Sequence, residues 1–160
     1  GLGTIAGLGQ LQELRLRDTN VTDAGLAAIA GLIELQWLGL NGTHVTDGGL
    51  EHLADMTGLA RLDLERARVS DAGLAHLTRL PALKWLYLME CPVTDAGLVH
   101  LAALSQLRVL LLYKTAVSDA GLVHLTDLSQ LEELFIGDTQ ATEAGAQALR
   151  RALPECSVVL

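Results

Sequence analysis

The hexapeptide Val21-Thr22-Asp23-Ala24-Gly25-Leu26 returns as Val45-Thr46-Asp47-Gly48-Gly49-Leu50. It returns again, with little change, from Val69, Val93 and Val117, and a degenerate copy begins at Ala141. Each start lies 24 residues after the last, the difference between 45 and 21, and no insertion breaks the frame. A unit this short is one supersecondary element, too small to bury its own apolar face, so the units must stack on one another. Counting Val21 as repeat position 1, a second pattern, Leu-x-x-Leu-x-Leu, fills positions 15 to 20. It stands at Leu35/Leu38/Leu40 and equally at Leu11/Leu14/Leu16, Leu59/Leu62/Leu64, Leu83/Leu86/Leu88, Leu107/Leu110/Leu112 and Leu131/Leu134/Ile136. Leucine is therefore by far the commonest apolar residue, a bias that an ordinary mixed-shape core would not tolerate and a stack of equivalent layers can.

These motifs resemble those of leucine-rich repeat proteins, whose pattern is L-x-x-L-x-L-x-x-N/C-x-L. The likeness covers nearly the whole chain. Its V-T-D-A-G-L-x-H-L form looks most like bacterial repeats of the planctomycete type, and also like the cysteine-containing repeats of eukaryotic F-box proteins, although no F-box segment is present. The ending Ala152-Leu153-Pro154-Glu155-Cys156 is similar to the terminal repeat of the bacterial group. The resemblance implies interaction function in general terms and names no partner. At the family's Asn/Cys position this chain has Thr19, Thr43, Ala67, Cys91, Thr115 and Thr139. A side-chain ladder to backbone amides is thus expected to be weak there, and absent at Ala67.

The expected fold is α/β: a right-handed leucine-rich-repeat solenoid, a horseshoe arc with a parallel sheet on its concave face and short helices on its convex face. One domain spans 1–160, with a partial unit at 1–20, full units at 21–44, 45–68, 69–92, 93–116 and 117–140, and a C-terminal cap at 141–160. Gly1 enters mid-unit, which reads as a cut N-terminus. The polar last helix with Gln147, Arg150 and Arg151, then a short strand through Val158 and Leu160, reads as a natural C-terminal cap. Period-2 alternation predicts strands centred near Leu14, Leu38, Leu62, Leu86, Leu110 and Leu134, with a seventh near Val158. Positions 18 and 20 point inward; positions 17, 19 and 21 point out of the concave sheet. Thr22 is the expected N-cap, Asp23 complements the helix dipole, and Leu26, Ile29 and Leu32 line one helical face. The glycine at position 5 of every unit implies a close backbone approach between stacked units, since in a helix it otherwise costs about 1 kcal/mol relative to alanine.

Charge and composition narrow the function. With 11 Lys and Arg against 19 Asp and Glu, the net charge is −8. A nucleic-acid binder needs clustered cations, and so does docking on an anionic membrane. No apolar run approaches the ~18 residues of a spanning helix. No secretory signal peptide is visible, and the compartment stays unassigned. Cys91 and Cys156 form no CxxC motif and read as free thiols packed like small hydrophobes. His52, His76, His100 and His124 recur at position 8, on convex helices roughly 10 Å apart, which makes a row rather than a tetrahedral cluster. The acidic row from Asp23 to Glu143 is accounted for by helix N-termini. Asp63 and Glu65 lie about 6.8 Å apart along a strand, within reach of glycosidase geometry. With no apolar cover around either, they read as a solvated rim. No nucleophile–base constellation and no phosphate loop stands out, so the chain reads as non-catalytic, without metal or cofactor.

The aromatic residues carry the functional signal. Only 3% of the chain is aromatic, and Trp37, Trp85, Tyr87, Tyr113 and Phe135 all fall at positions 17, 19 or 21. Aromatics favour strands in general, but that preference does not keep them off the inward positions. Trp85, Tyr87, Met89, Val109, Leu111, Tyr113 and Phe135 form one expected apolar patch, bordered by Arg15, Arg17, Arg61, Asp63 and Glu65. Arg61 is expected to stack between Trp37 and Trp85, and Gly39 to leave a notch beside Trp37. The binding residues are thus Trp37, Arg61, Asp63, Trp85, Tyr87, Met89, Val109, Leu111, Tyr113 and Phe135. The reading is a module that holds a protein or peptide on its concave face. The alternatives are a carbohydrate or small-ligand binder, with Asn41, Asp63 and Glu65 bonding hydroxyls, and self-association as a homodimer through the same face. The aliphatic centre of the patch argues against sugar there.

Overall fold

The computed structural model describes all 160 residues, Gly1–Leu160. Seven strands of three residues each form one open parallel sheet: β1 (Glu13–Arg15), β2 (Trp37–Gly39), β3 (Arg61–Asp63), β4 (Trp85–Tyr87), β5 (Val109–Leu111), β6 (Glu133–Phe135) and β7 (Ser157–Val159). They pair in chain order, each residue opposite the one a full period later, as Leu38 is opposite Leu62. The central residue of every strand is the one the alternation predicts.

Between the strands run α1 (Asp23–Ile29), α2 (Asp47–Leu50), α3 (Asp71–Leu77), α4 (Asp95–Leu101), α5 (Asp119–Leu122) and α6 (Glu143–Ala152). Tighter 3₁₀ turns, Glu51–Leu53 and Val123–Leu125, continue α2 and α5, and another, Leu2–Thr4, packs on α1. The coil is right-handed, as parallel crossover connections require. One hydrophobic core runs its length. Leu38, Leu62, Leu86, Leu110 and Leu134 are all fully buried and stack in a column one strand spacing apart. Identical side chains fill this space because each layer meets a copy of itself.

The polar stitching between coils differs from the sequence expectation. Asp23 does more than complement a helix dipole: its carboxylate accepts the backbone N–H of Thr46 at 2.8 Å and the Thr46 hydroxyl at 2.6 Å. The same pair of bonds joins Asp47 to Ser70, Asp71 to Thr94, Asp95 to Ser118 and Asp119 to Thr142. The Thr142 bonds, backbone and hydroxyl, hold the Asp119 carboxyl below the usual carboxylate range. Accordingly the position-2 hydroxyl is mainly a donor to the preceding coil. Only Thr94, Ser118 and Thr142 also cap their own helices, with bonds of 3.3, 3.2 and 3.5 Å.

The position-5 glycine makes room for this aspartate. A Cβ on Gly121 would lie 3.0 Å from both Cα and Cγ of Asp95. The Asn/Cys position, by contrast, mostly works within its own coil: Thr43 and Thr115 donate to Leu40 and Leu112 carbonyls at 2.7 Å. Cys91 alone reaches the preceding coil, its thiol donating to the Leu64 carbonyl at 3.1 Å.

Candidate binding face

The concave surface is built by strand positions 17, 19 and 21, and the parallel register sets its columns. Tyr87, Leu111 and Phe135 lie side by side in position 19, and Val159 of β7 extends that column. Val159 was outside the expected patch, although adding one period to Phe135 reaches it. Trp85, Tyr87, Met89, Val109, Leu111 and Phe135 are half-buried, and Tyr113 is 37% exposed. The Tyr113 ring lies over Gly137, where a Cβ would come within 3.0 Å of it. The fold therefore brings all seven expected apolar residues onto one surface. No cation lies over any of these rings except at Tyr87, which meets Arg61, and Tyr113, which Lys114 approaches at 5.3 Å.

The N-terminal part of the face is organised differently. Arg15 and Arg61, from the strands on either side, bring their guanidinium carbons 3.8 and 4.2 Å from the Trp37 ring centroid. Arg61 also lies 4.5 Å from the Tyr87 ring, so Arg15, Trp37, Arg61 and Tyr87 form one stack. Asp63 holds it from beneath. Its carboxylate accepts Arg61 Nε at 2.8 Å, Arg61 Nη2 at 3.1 Å and Trp37 Nε1 at 3.1 Å. Burial works against the Arg61 charge, but the hydrogen bond and charge of Asp63 outweigh it and raise its pKa above the ordinary value.

Three expectations are corrected here. Asp63 is not a solvated rim residue: it is 5% exposed and saturated by three donors, which removes it from any carboxylate pair with Glu65. Arg61 stacks on Trp37 and Tyr87, not on Trp85, because the bidentate pair with Asp63 turns its guanidinium toward position 19. Gly39 is buried, with Arg15 against it, so no notch is open beside Trp37. Asn41 is also buried, and its side-chain oxygen has no partner.

A family model described as "Leucine Rich repeat" matches residues 11–30, a stretch that holds β1 and all of α1. Among solved structures, an internalin of Listeria monocytogenes is similar at TM-score 0.72 and 21% identity, over 99% of this chain and 50% of that one. Internalin C2 of the same species is similar at TM-score 0.72 and 26% identity, over 97% of this chain and 74% of that one. The chain has the solenoid fold of leucine-rich repeat proteins. This chain spans half the length of the first of these internalins. A search of curated proteins finds no match. The matches support the repeat class and leave the planctomycete-type and F-box likenesses as resemblances of sequence.

Away from the concave face, the chain carries few reactive groups. Both cysteines are buried and free. Burial pushes the Cys91 thiol up to about 12 and the Cys156 thiol up to about 11. The four position-8 histidines lie on the convex side, and no group of three His, Cys, Asp or Glu side chains is close enough to share a metal ion. No helix is long and apolar enough to cross a membrane.

Proposed function

We propose that the chain is a single non-catalytic binding module whose concave face docks a protein segment. The observation that carries this reading is the unbroken position-19 column Tyr87–Leu111–Phe135–Val159, flanked by Trp85, Met89, Val109 and Tyr113. Every aromatic side chain of the protein is on this face and none is in the leucine core. Leucine-rich repeat solenoids serve generally as protein-interaction modules, which agrees with it. An apolar centre bordered by charged pairs is the anatomy of a protein interface. Trp37, Arg61 and Asp63 form the ordered border on the N-terminal side.

The test is a pull-down comparing wild type with a Tyr87→Ala/Leu111→Ala double variant, with His100→Ala as a convex control. Loss of a central aromatic is expected to cost a partner ~2 kcal/mol or more, roughly thirtyfold in affinity. A partner that binds the double variant unchanged overturns the concave reading. A double variant that no longer folds would instead place the column in the core. Self-association through the same face would appear as a concentration-dependent mass that the double variant abolishes.

A further inference from the structure

At the N-terminal border of the face, off the apolar patch, a cleft of about 260 Å³ opens between the two tryptophans. Its cause is one small residue. Position 16, at the edge of the sheet, runs Gln12, Gln36, Ala60, Lys84, Arg108, Glu132. Ala60 is the only short side chain in that column, and its missing atoms leave the floor of the cleft between Trp37 and Trp85.

The walls are of three kinds. Trp37 is fully engaged: it is stacked by Arg15 and Arg61, and its indole N–H donates to Asp63. Trp85 is the opposite case, with no cation over its ring and no hydrogen bond from its indole N–H. Gln12 and Gln36 are exposed, and their carboxamides make no hydrogen bond within the protein. The charged groups at the cleft already have partners, Glu13 with Arg15 at 3.1 Å and Arg61 with Asp63 at 2.8 Å.

We propose that this cleft is a binding site for a single neutral sugar ring. Each requirement follows from a wall. The free Trp85 face takes the apolar C–H side of a pyranose. Carboxamides both donate and accept, as hydroxyls do, so Gln12 and Gln36 match a polyhydroxylated rim. Paired charges call for no net charge on the ligand. An apolar side chain would cover the two carboxamides without replacing their hydrogen bonds to water. A cationic one would face the Arg61 guanidinium. The volume is below the roughly 300–1,000 Å³ of pockets for drug-sized ligands, which suits one ring and not an oligosaccharide chain. The site stands apart from the proposed protein-docking centre and shares with it only Trp85.

Both tryptophans of the chain wall this cleft, so intrinsic tryptophan fluorescence reports on it. The protein is titrated with methyl β-D-glucopyranoside, methyl β-D-galactopyranoside, methyl α-D-mannopyranoside and N-acetyl-D-glucosamine, and with N-acetylphenylalaninamide and N-acetylargininamide as side-chain mimics. A saturable change with at least one sugar is expected, with a Kd of ~1–10 mM. Ala60→Gln, which repeats the residue of the two preceding coils, is expected to fill the cleft and weaken that binding at least tenfold without lowering the melting temperature. Trp85→Ala should abolish it. No saturation by any of the four sugars overturns the proposal, as does sugar binding that survives Ala60→Gln. Saturation by a side-chain mimic alone would reassign the cleft to a partner's side chain. Loss of protein docking in Tyr87→Ala/Leu111→Ala with sugar binding intact would separate this site from the concave centre.

Discussion

The two ends of the concave face are built on opposite principles. From β1 to β3, polar and aromatic side chains are tied together: Asp63 anchors Arg61 and Trp37, and Arg15 closes the far side of the stack. From β4 to β7 the same strand position carries Tyr87, which meets Arg61 at the border, and then Leu111, Phe135 and Val159, which have no polar anchor and rest on one another. The first half is held by its own hydrogen bonds and ring contacts. The second leaves its apolar side chains half exposed. One scaffold can therefore hold a bonded border and an apolar centre at a fixed strand spacing.

The largest effect is expected at Asp63. Asp63→Ala leaves a partly buried guanidinium and an indole N–H without their acceptor, and should destabilise the protein by about 2–3 kcal/mol. Urea unfolding measures it. A loss under about 0.5 kcal/mol, the size of an ordinary surface change, would mean that the stack rests on its rings and not on the carboxylate.

Cys91 joins the two halves, since its thiol donates from the coil of β4 to the Leu64 carbonyl in the coil of β3. Its pKa is raised from 9.0 to about 12, so the folded state holds the proton more tightly than the unfolded chain. The resulting stability is complete below pH 9 and is lost as pH rises toward 12. By pH 10 the loss should reach about 1.4 kcal/mol relative to neutral pH, and Cys91→Ala should remove this contribution to the alkaline slope. At neutral pH the same thiol should label with a thiol reagent far more slowly than a free cysteine. Fast labelling of the native protein would show that the border between the halves opens.

Smaller effects separate the halves by position. Tyr87→Ala ends the Arg61 stack at the border and should cost up to about 1 kcal/mol, part of it the lost cation–π contact. Tyr113→Ala, deeper in the apolar half and 37% exposed, should shift stability by less than about 0.5 kcal/mol. If thermal denaturation shows the reverse order, the apolar half is packed more firmly than the stack and the contrast between them fails.

Much of this was legible in the chain itself. The period placed all seven strand centres, because a parallel stack without insertions admits only one register: Leu14 opposite Leu38, and so on to Val158. The same arithmetic placed the aromatics on the concave face. The glycine at position 5 announced a close approach, but not what approached. It is the aspartate of the preceding coil, which the chain itself gave no means of pairing with Thr or Ser 23 residues later.

What tertiary structure alone decided is where long side chains go. Spacing assigned Arg61, Asp63 and Trp37 to the outward face, and all three are there. An arginine with four rotatable torsions could have lain over Trp85 as easily as over Tyr87. The outcome was set by Asp63, whose buried carboxylate offers two oxygens to one guanidinium and leaves it only one favourable plane. Helix geometry shows the same limit. Asp95–Leu101 and Asp119–Leu125 have identical sequences, Asp-Ala-Gly-Leu-Val-His-Leu. Yet α4 runs through all seven residues, whereas α5 stops at Leu122 and tightens into a 3₁₀ turn. The seven residues cannot tell these apart, so the form of the last helical turn is not a property of the local sequence. The period is a property of the chain and survives any neighbour; side-chain direction is set by the neighbours, and the final turn of a helix is not fixed by the residues that form it.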